Sequence, residues 1–157
     1  MRKSIIAKVE QAVGSKTRAW LDIEALTRVE LTSEDAACPF ESAVNPGEGP
    51  GWRASGLGRQ CIRLYFDEPR SIAFVHLEFE ELEHARTQEF VLRWSTEGGE
   101  HPREAVRQQF NFAPPETTRE IEEYSVALGG VSVLELEIVP DISGGAARAG
   151  LRALRLA

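Results

Sequence analysis

Hydrophobic and polar residues alternate most clearly over residues 87–100. Phe90, Leu92 and Trp94 fall on one face of an extended chain. The polar residues Glu89, Arg93 and Ser95 fall on the other. Successive side chains of a β-strand point to opposite faces, so this pattern predicts a half-buried strand. Two adjacent glycines follow the strand, and glycine adopts positive φ without strain. We therefore predict a tight turn and a hairpin at this point.

Weaker alternation of the same kind recurs along the chain. It covers residues 60–66, 72–80, 104–112, 121–128, 131–139 and 151–156. Residues 67–70 predict a turn between the first two of these segments, and the glycine pair at 129–130 predicts a hairpin between two later ones. About eight short strands separated by turns are typical of an antiparallel β-sandwich of the jelly-roll type. That all-β architecture is the predicted fold class.

The beginning of the chain has a different pattern. Residues 4–13 carry apolar side chains at helical spacing and precede a glycine, so they predict a short N-terminal helix. We divide the chain into an appendage, residues 1–18, and a sandwich domain, residues 19–157. Residues 20–31 predict two short strands with a break near Ala25, and a single amphipathic helix is the alternative. Residues 32–59 predict a long loop, which in a compact domain often carries function.

Charge and composition narrow the classes of partner. The formal charge of −7 and the pI near 5.1 disfavour binding to nucleic acid or to an anionic membrane, because both are themselves negative. The apolar run at residues 5–7 is shorter than a signal peptide needs, and no stretch reaches membrane-spanning length, so a cytoplasmic location is predicted. Cys38 and Cys61 predict two reduced thiols, with a disulfide or a zinc ligand pair as the alternative.

The order of several short motifs resembles the discoidin family, also called the coagulation factor 5/8 type C or galactose-binding-like domain. The motifs are VELTSE at 29–34, PFESAVN at 39–45, GWRAS at 51–55, QCIRLYF at 60–66, FVLRWSTEGG at 90–99 and AGLRALRL at 149–156. The resemblance covers roughly residues 26–157. It implies a jelly roll that serves as a non-catalytic binding module.

Two departures from the family's pattern bear on metal binding. Asn45 and Pro46 stand where the family usually has Asp-Gly, and Arg152 or Ala153 stands where a glutamate is common. In the family those acidic groups help to hold a structural calcium ion, which needs six to eight oxygen ligands. We therefore predict no cofactor and no metal site, with a structural calcium as the alternative.

A glycan is the ligand that the resemblance favours, and another small polar ligand fits the same description. The alternative is an intracellular domain of the same fold that binds a protein partner or acts as a scaffold. The sequence contains no nucleophile elbow, zinc-protease motif or phosphate-binding loop, so an enzyme is not expected.

Candidate ligand residues come from the loops expected at one end of the sandwich, because loops on a rigid scaffold carry function. A sugar site needs an apolar face and planar hydrogen-bonding groups. Trp52 matches a core position of the family, and Phe112 would also fill the core if it continues the strand face of Phe110. The predicted ligand-binding residues are Glu83, His84, Arg86, Asn111, Phe112, Arg119, Asp141 and Arg53.

Overall fold

The structure is a computed structural model that describes residues 18–45, 47 and 49–157. The predicted helix at 4–13 lies outside the described residues. The described part contains two short helices and eight strands. They are α1 (Ile23–Leu26), β1 (Thr27–Leu31), α2 (Glu41–Val44), β2 (Trp52–Arg53), β3 (Gln60–Glu80), β4 (Arg86–Ser95), β5 (Arg103–Phe112), β6 (Arg119–Val139), β7 (Gly150–Leu151) and β8 (Ala153–Leu156).

Two long strands, β3 and β6, connect the layers of the fold. They pair antiparallel along most of their lengths. The first half of β3 and the second half of β6 belong to a layer with the order β1-β3-β6-β4-β5. The second half of β3 pairs with β8 and with the first half of β6, and forms the other layer. The predicted antiparallel β-sandwich is therefore confirmed.

The core lies between these two layers. Phe79 of β3 and Phe90 of β4 meet there, with ring centroids 5.3 Å apart. Burying one such side chain contributes roughly 1.5–3 kcal/mol relative to leaving it in water. Other large side chains in this core are Ile62, Leu64, Ile72, Leu77, Leu92, Phe112, Leu134 and Ile138.

The two turns predicted inside the long strands are wrong. β3 continues through residues 67–70, and its register with β6 shifts between Tyr65 and Arg70. β6 likewise continues through the glycine pair, where Gly130 has a φ of 66°. Proline and glycine mark irregularities in strands as well as turns. Here they lie where each strand passes from one layer to the other.

The prediction for residues 20–31 is wrong in its first half. Residues 23–26 form the single helical turn α1, and Asp22 caps it by accepting a hydrogen bond from the amide of Ala25 at 3.2 Å. The second half forms β1 as expected. Trp20 precedes α1 and packs on Phe74 of the second layer, with ring centroids 5.9 Å apart.

Four connections meet at one end of the sandwich, which we call the loop end. The β3–β4 connection lies beside the β5–β6 connection, because the amide of Glu81 donates to the Thr118 carbonyl at 2.8 Å. The β6–β7 connection joins them where Ile142 donates to the Thr87 carbonyl at 2.9 Å. The long loop of residues 32–59 arrives there through β2, which pairs with β7. None of the helices in these described ranges has the length and apolar character required to span a membrane.

Candidate ligand-binding cleft

A cleft of about 250 Å³ opens at the loop end. The long loop supplies Cys38, Pro50, Trp52 and Arg53 to its walls. Residues 80–83 and Arg86 form a second wall, and residues 148–152 form a third. Segments that are far apart in the sequence are thus held together by the sheet pairings, which is how a rigid sandwich positions binding loops.

Arg86 anchors the second wall to β4 and to the β6–β7 connection at the base of the cleft. Its buried guanidinium donates from Nε to Oε1 of Glu81 at 2.8 Å, and from Nη1 to the Pro140 carbonyl at 2.7 Å and to Gln88 Oε1 at 3.1 Å. The Phe112 ring lies 4.7 Å from the guanidinium carbon. A buried charge is tolerated only when it is paired and hydrogen-bonded, and Arg86 meets both conditions.

Glu81 is correspondingly held in its ionised form. Burial alone would raise the pKa of its carboxyl group. The hydrogen bonds from Arg86 and from the amides of Glu83 and His84 outweigh that effect and lower the pKa below its usual value. Glu81 is therefore a fixed negative charge that serves the structure of the cleft wall.

The ring of Trp52 is not accessible to a ligand. Its side chain is only 2 % exposed, and its indole Nε1 donates to the Ser33 carbonyl at 3.2 Å. Trp52 pairs with Leu151, which is also buried, so the next residue along the strand, Arg53, points outward. An exposed apolar group that does face the cleft is Leu82, which is 64 % exposed.

The residues near Arg152 do not fit a calcium site. Nη1 of Arg152 donates to the Gly49 carbonyl, so a cationic group faces an oxygen that a metal would need. The Asn45 side chain donates from Nδ2 to Oε2 of Glu24 at 3.0 Å. Calcium requires several oxygen ligands, some of them charged, and a guanidinium repels the ion.

Three of the predicted ligand residues, Arg53, Glu83 and Arg86, line the cleft. His84 lies on the same connection as Glu83, with its side chain 79 % exposed, and its Nε2 is 3.7 Å from Oε2 of Glu83. Arg119 is the first residue of β6, 4.0 Å from Glu80, and it lines a smaller hollow that also contains Arg152.

The remaining predicted residues lie outside the cleft walls. Phe112 is 2 % exposed and belongs to the core, which corrects its assignment as a ligand contact. Asn111 accepts a hydrogen bond from Oγ1 of Thr87 at 2.6 Å. Asp141 accepts hydrogen bonds from the hydroxyl and the amide of Ser143, and these bonds lower its pKa. Asn111 and Asp141 thus have bonding partners within their own strand pair or turn.

Sequence reasoning missed Arg148 and Arg152, which both line the cleft. A signal was present, because the two arginines alternate with buried Ala149 and Leu151. The same alternation also fits an ordinary edge strand. Only the pairing of β7 with β2 shows which surface the arginines occupy.

Comparisons with known proteins identify the fold. No protein-family model matches the chain, and no curated protein matches it in sequence. Among solved structures, the family 32 CBM of C. perfringens NanJ in complex with galactose is 10 % identical, with a TM-score of 0.64 over 87 % of this chain and 96 % of that one. The CBM32 of AlyQ in complex with 4,5-unsaturated mannuronic acid is 15 % identical, with a TM-score of 0.63 over 89 % and 98 % of the chains.

A third structure links the chain to the resemblance found in its sequence. The F5/8 type C domain of a Bacteroides fragilis protein is 14 % identical, with a TM-score of 0.58 over 88 % of this chain and 94 % of that one. The protein therefore has the galactose-binding-like β-sandwich found in family 32 modules and F5/8 type C domains. At these identities the match concerns the fold, and the ligand has to be argued from the cleft itself.

Proposed function

We propose that this protein is a non-catalytic glycan-binding module that holds a sugar in the cleft at the loop end. The observation that carries the proposal is the convergence of three sequence-distant segments on one cleft, with Arg86 anchoring one of them to the β6–β7 connection. Solved structures of the same fold support it, since they hold galactose in NanJ and 4,5-unsaturated mannuronic acid in AlyQ, and a further one is a pectin-binding module.

The groups that face the cleft suit a sugar. Arg53 and Glu83 are exposed and planar, and planar groups can pair with two adjacent hydroxyls at once. Leu82 supplies an apolar surface for the C–H face of the ring, the role that an aromatic ring often takes. The volume of about 250 Å³ is below the roughly 300–1,000 Å³ of typical ligand pockets, so the expected occupant is one sugar unit and not a long chain segment.

Catalysis is not part of the proposal. Hydrolysis of a glycosidic bond needs a carboxylic acid with a raised pKa to protonate the leaving oxygen. Glu81, the carboxylate closest to Arg86 in this cleft, has its pKa lowered instead. Glu81 is therefore not suited to act as that acid.

Calorimetric titration of the whole chain with neutral, acidic and amino sugars tests the proposal. We expect saturable binding of at least one sugar, weakened in the cleft variants Arg53→Ala and Glu83→Ala. The variant Glu104→Ala on β5 is the matched control, because Glu104 is an exposed charge outside the cleft wall. Absence of heat with every sugar class would overturn glycan binding and would favour the protein-interaction alternative, which a pull-down with the same protein would then examine.

A further inference from the structure

Three arginines share one face of a small ribbon in the cleft wall, formed by residues 52–54 and 148–152, which we call the β2–β7 ribbon. Arg53 pairs with Gly150, and the amide of Ala54 donates to the Ala149 carbonyl at 2.9 Å, which extends the register. Positions 148, 150 and 152 alternate with 149 and 151, so they lie on the same face of the strand. Arg148 and Arg152 are therefore the diagonal neighbours of Arg53, at about 7–8 Å between Cα atoms.

The opposite face of the ribbon fixes this orientation. Trp52, Ala54, Ala149 and Leu151 are all buried against the sandwich. A slip of one residue would expose these apolar groups and bury the arginines, which makes the register strongly determined. Gly150 has no side chain, so space remains between the three guanidinium groups.

The charges of these arginines are largely uncompensated. The guanidinium groups of Arg53 and Arg148 form no hydrogen bond or ion pair with any described residue, and Arg152 donates only to the Gly49 carbonyl. Guanidinium groups remain charged at all physiological pH values, so three of them side by side repel one another. The arrangement stands out in a chain of net charge −7.

The carboxylates of the same cleft do not neutralise them. Glu81 is engaged by Arg86 at 2.8 Å, and Glu80 faces Arg119 at 4.0 Å. Glu83 is exposed, and its described partner is His84. The cleft therefore presents more unpaired positive charge than unpaired negative charge to an anion. A carboxylate can accept two parallel hydrogen bonds from one guanidinium group.

We propose that the cleft selects an acidic sugar, whose carboxylate lies over Gly150 between the arginines of the β2–β7 ribbon. The proposal rests on the glycan-binding function and specifies its ligand class. Arg53 and Arg148 bind the carboxylate, while Leu82 and Glu83 contact the rest of the ring. A neutral sugar leaves the guanidinium groups without a counter-charge, so it binds more weakly.

Matched pairs of ligands test this inference. The probes are uronic acid oligosaccharides and the same oligosaccharides with each carboxyl group reduced to a primary alcohol. Calorimetric titration should show at least tenfold tighter binding of the acidic member, and this preference should shrink as sodium chloride is raised. Arg148→Gln should weaken binding of the acidic member about tenfold and so reduce the ratio of affinities between the acidic and the reduced members.

Arg28→Gln is the control variant, because Arg28 is an exposed arginine on β1 outside the cleft and its removal changes the net charge equally. An equal loss of affinity for the acidic member in Arg28→Gln and Arg148→Gln would show that only the net charge of the protein matters. That result would overturn the inference. Equal binding of acidic and reduced members, or binding of neutral or amino sugars alone, would overturn the acidic preference while leaving glycan binding intact. Silence with every sugar would overturn both.

Discussion

Gln88 donates a hydrogen bond from Nε2 to Oε1 of Glu120 across 3.2 Å, in the buried space between β4 and β6. Glu120 is 1 % exposed, and its other carboxylate oxygen has no hydrogen-bond partner among the described residues. Burial raises the pKa of Glu120 to about 8, the charge on Glu122 adds to the shift, and the bond from Gln88 and the charge on Arg86 oppose it. The carbonyl oxygen of Gln88 accepts from Arg86, so one amide connects Glu120 to the base of the cleft.

This carboxyl group predicts a pH-dependent stability. In the unfolded chain Glu120 loses its proton near pH 4.5, whereas the folded protein keeps it up to about pH 8. The folded state therefore binds more protons in that range, and the free energy of unfolding falls as pH rises through it. Glu120→Gln removes the titration and should stabilise the protein at pH 8 by on the order of 2 kcal/mol, with little difference at pH 5.

Urea unfolding of both proteins between pH 5 and pH 9 measures this difference. The comparison isolates Glu120, because Glu122, Tyr124 and Arg86, the charged or titratable groups near it, are unchanged in the variant. A constant offset between the two proteins across the range would show that the carboxyl group of Glu120 does not titrate there.

Arg86→Ala should both destabilise the protein and abolish sugar binding. Removal of the guanidinium leaves Glu81 and the Pro140 carbonyl without their donor inside the cleft wall, which costs about 3 kcal/mol. Arg119→Ala serves as the comparison, since its exposed contact with Glu80 at 4.0 Å contributes less than about 1 kcal/mol. Chemical denaturation followed by calorimetric titration measures both effects. Equal stability of the two variants would contradict the role assigned to Arg86.

Stability should not depend on calcium. The Arg152 guanidinium already donates to the Gly49 carbonyl, and a bound cation there would be repelled. We expect the same melting temperature with millimolar calcium chloride and with a chelator. A ligand that binds only the folded state raises the melting temperature with its concentration. A saturable rise with calcium would therefore contradict the conclusion that the residues near Arg152 do not fit the ion.

The sequence predicted strands best where buried and exposed residues alternate along the strand. Ile62, Leu64 and Phe66 alternate with less buried residues and lie in the core, so local pattern and final burial agree in the first half of β3. The hairpin predicted at the glycine pair 129–130 was wrong, because a positive φ occurs both in hairpin turns and in strand irregularities. Only the partner strand distinguishes them, and the residues of β3 opposite the pair, Arg70 and Ile72, are distant along the chain.

The cleft was partly predictable for a related reason. Arg53, Glu83 and Arg86 lie in segments that read as loops or loop borders, and loops are where ligand residues are sought. Arg152 lies in the predicted closing strand, residues 151–156, and Arg148 lies just before it. Their position in the cleft depends on the pairing of Arg53 with Gly150, a long-range contact that no local pattern specifies.

Gly51 sets the distance between the long loop and the end of the chain, and it provides a test of that pairing. Its φ is 84°, and a Cβ atom at this position would lie 2.5 Å from the Leu151 carbonyl oxygen and 2.8 Å from Cα of Arg152. Gly51→Ala should therefore cost about 3 kcal/mol, through both backbone strain and a clash with backbone atoms that have little room to move. The variant should also weaken sugar binding, because the β2–β7 ribbon carries Arg53.

Gly98→Ala is the matched comparison for Gly51→Ala. Gly98 also has a positive φ, 66°, but a Cβ atom there would meet open space. It should cost about 1 kcal/mol, the contribution of the backbone conformation alone, and sugar binding should be retained because Gly98 lies at the other end of β4. Urea unfolding measures the stability of the two variants, and calorimetry measures their sugar binding. The difference between them separates the effect of backbone strain from that of the steric clash at position 51. Equal losses of stability would mean that the ribbon tolerates displacement and that the register between Arg53 and Gly150 is not fixed by this contact.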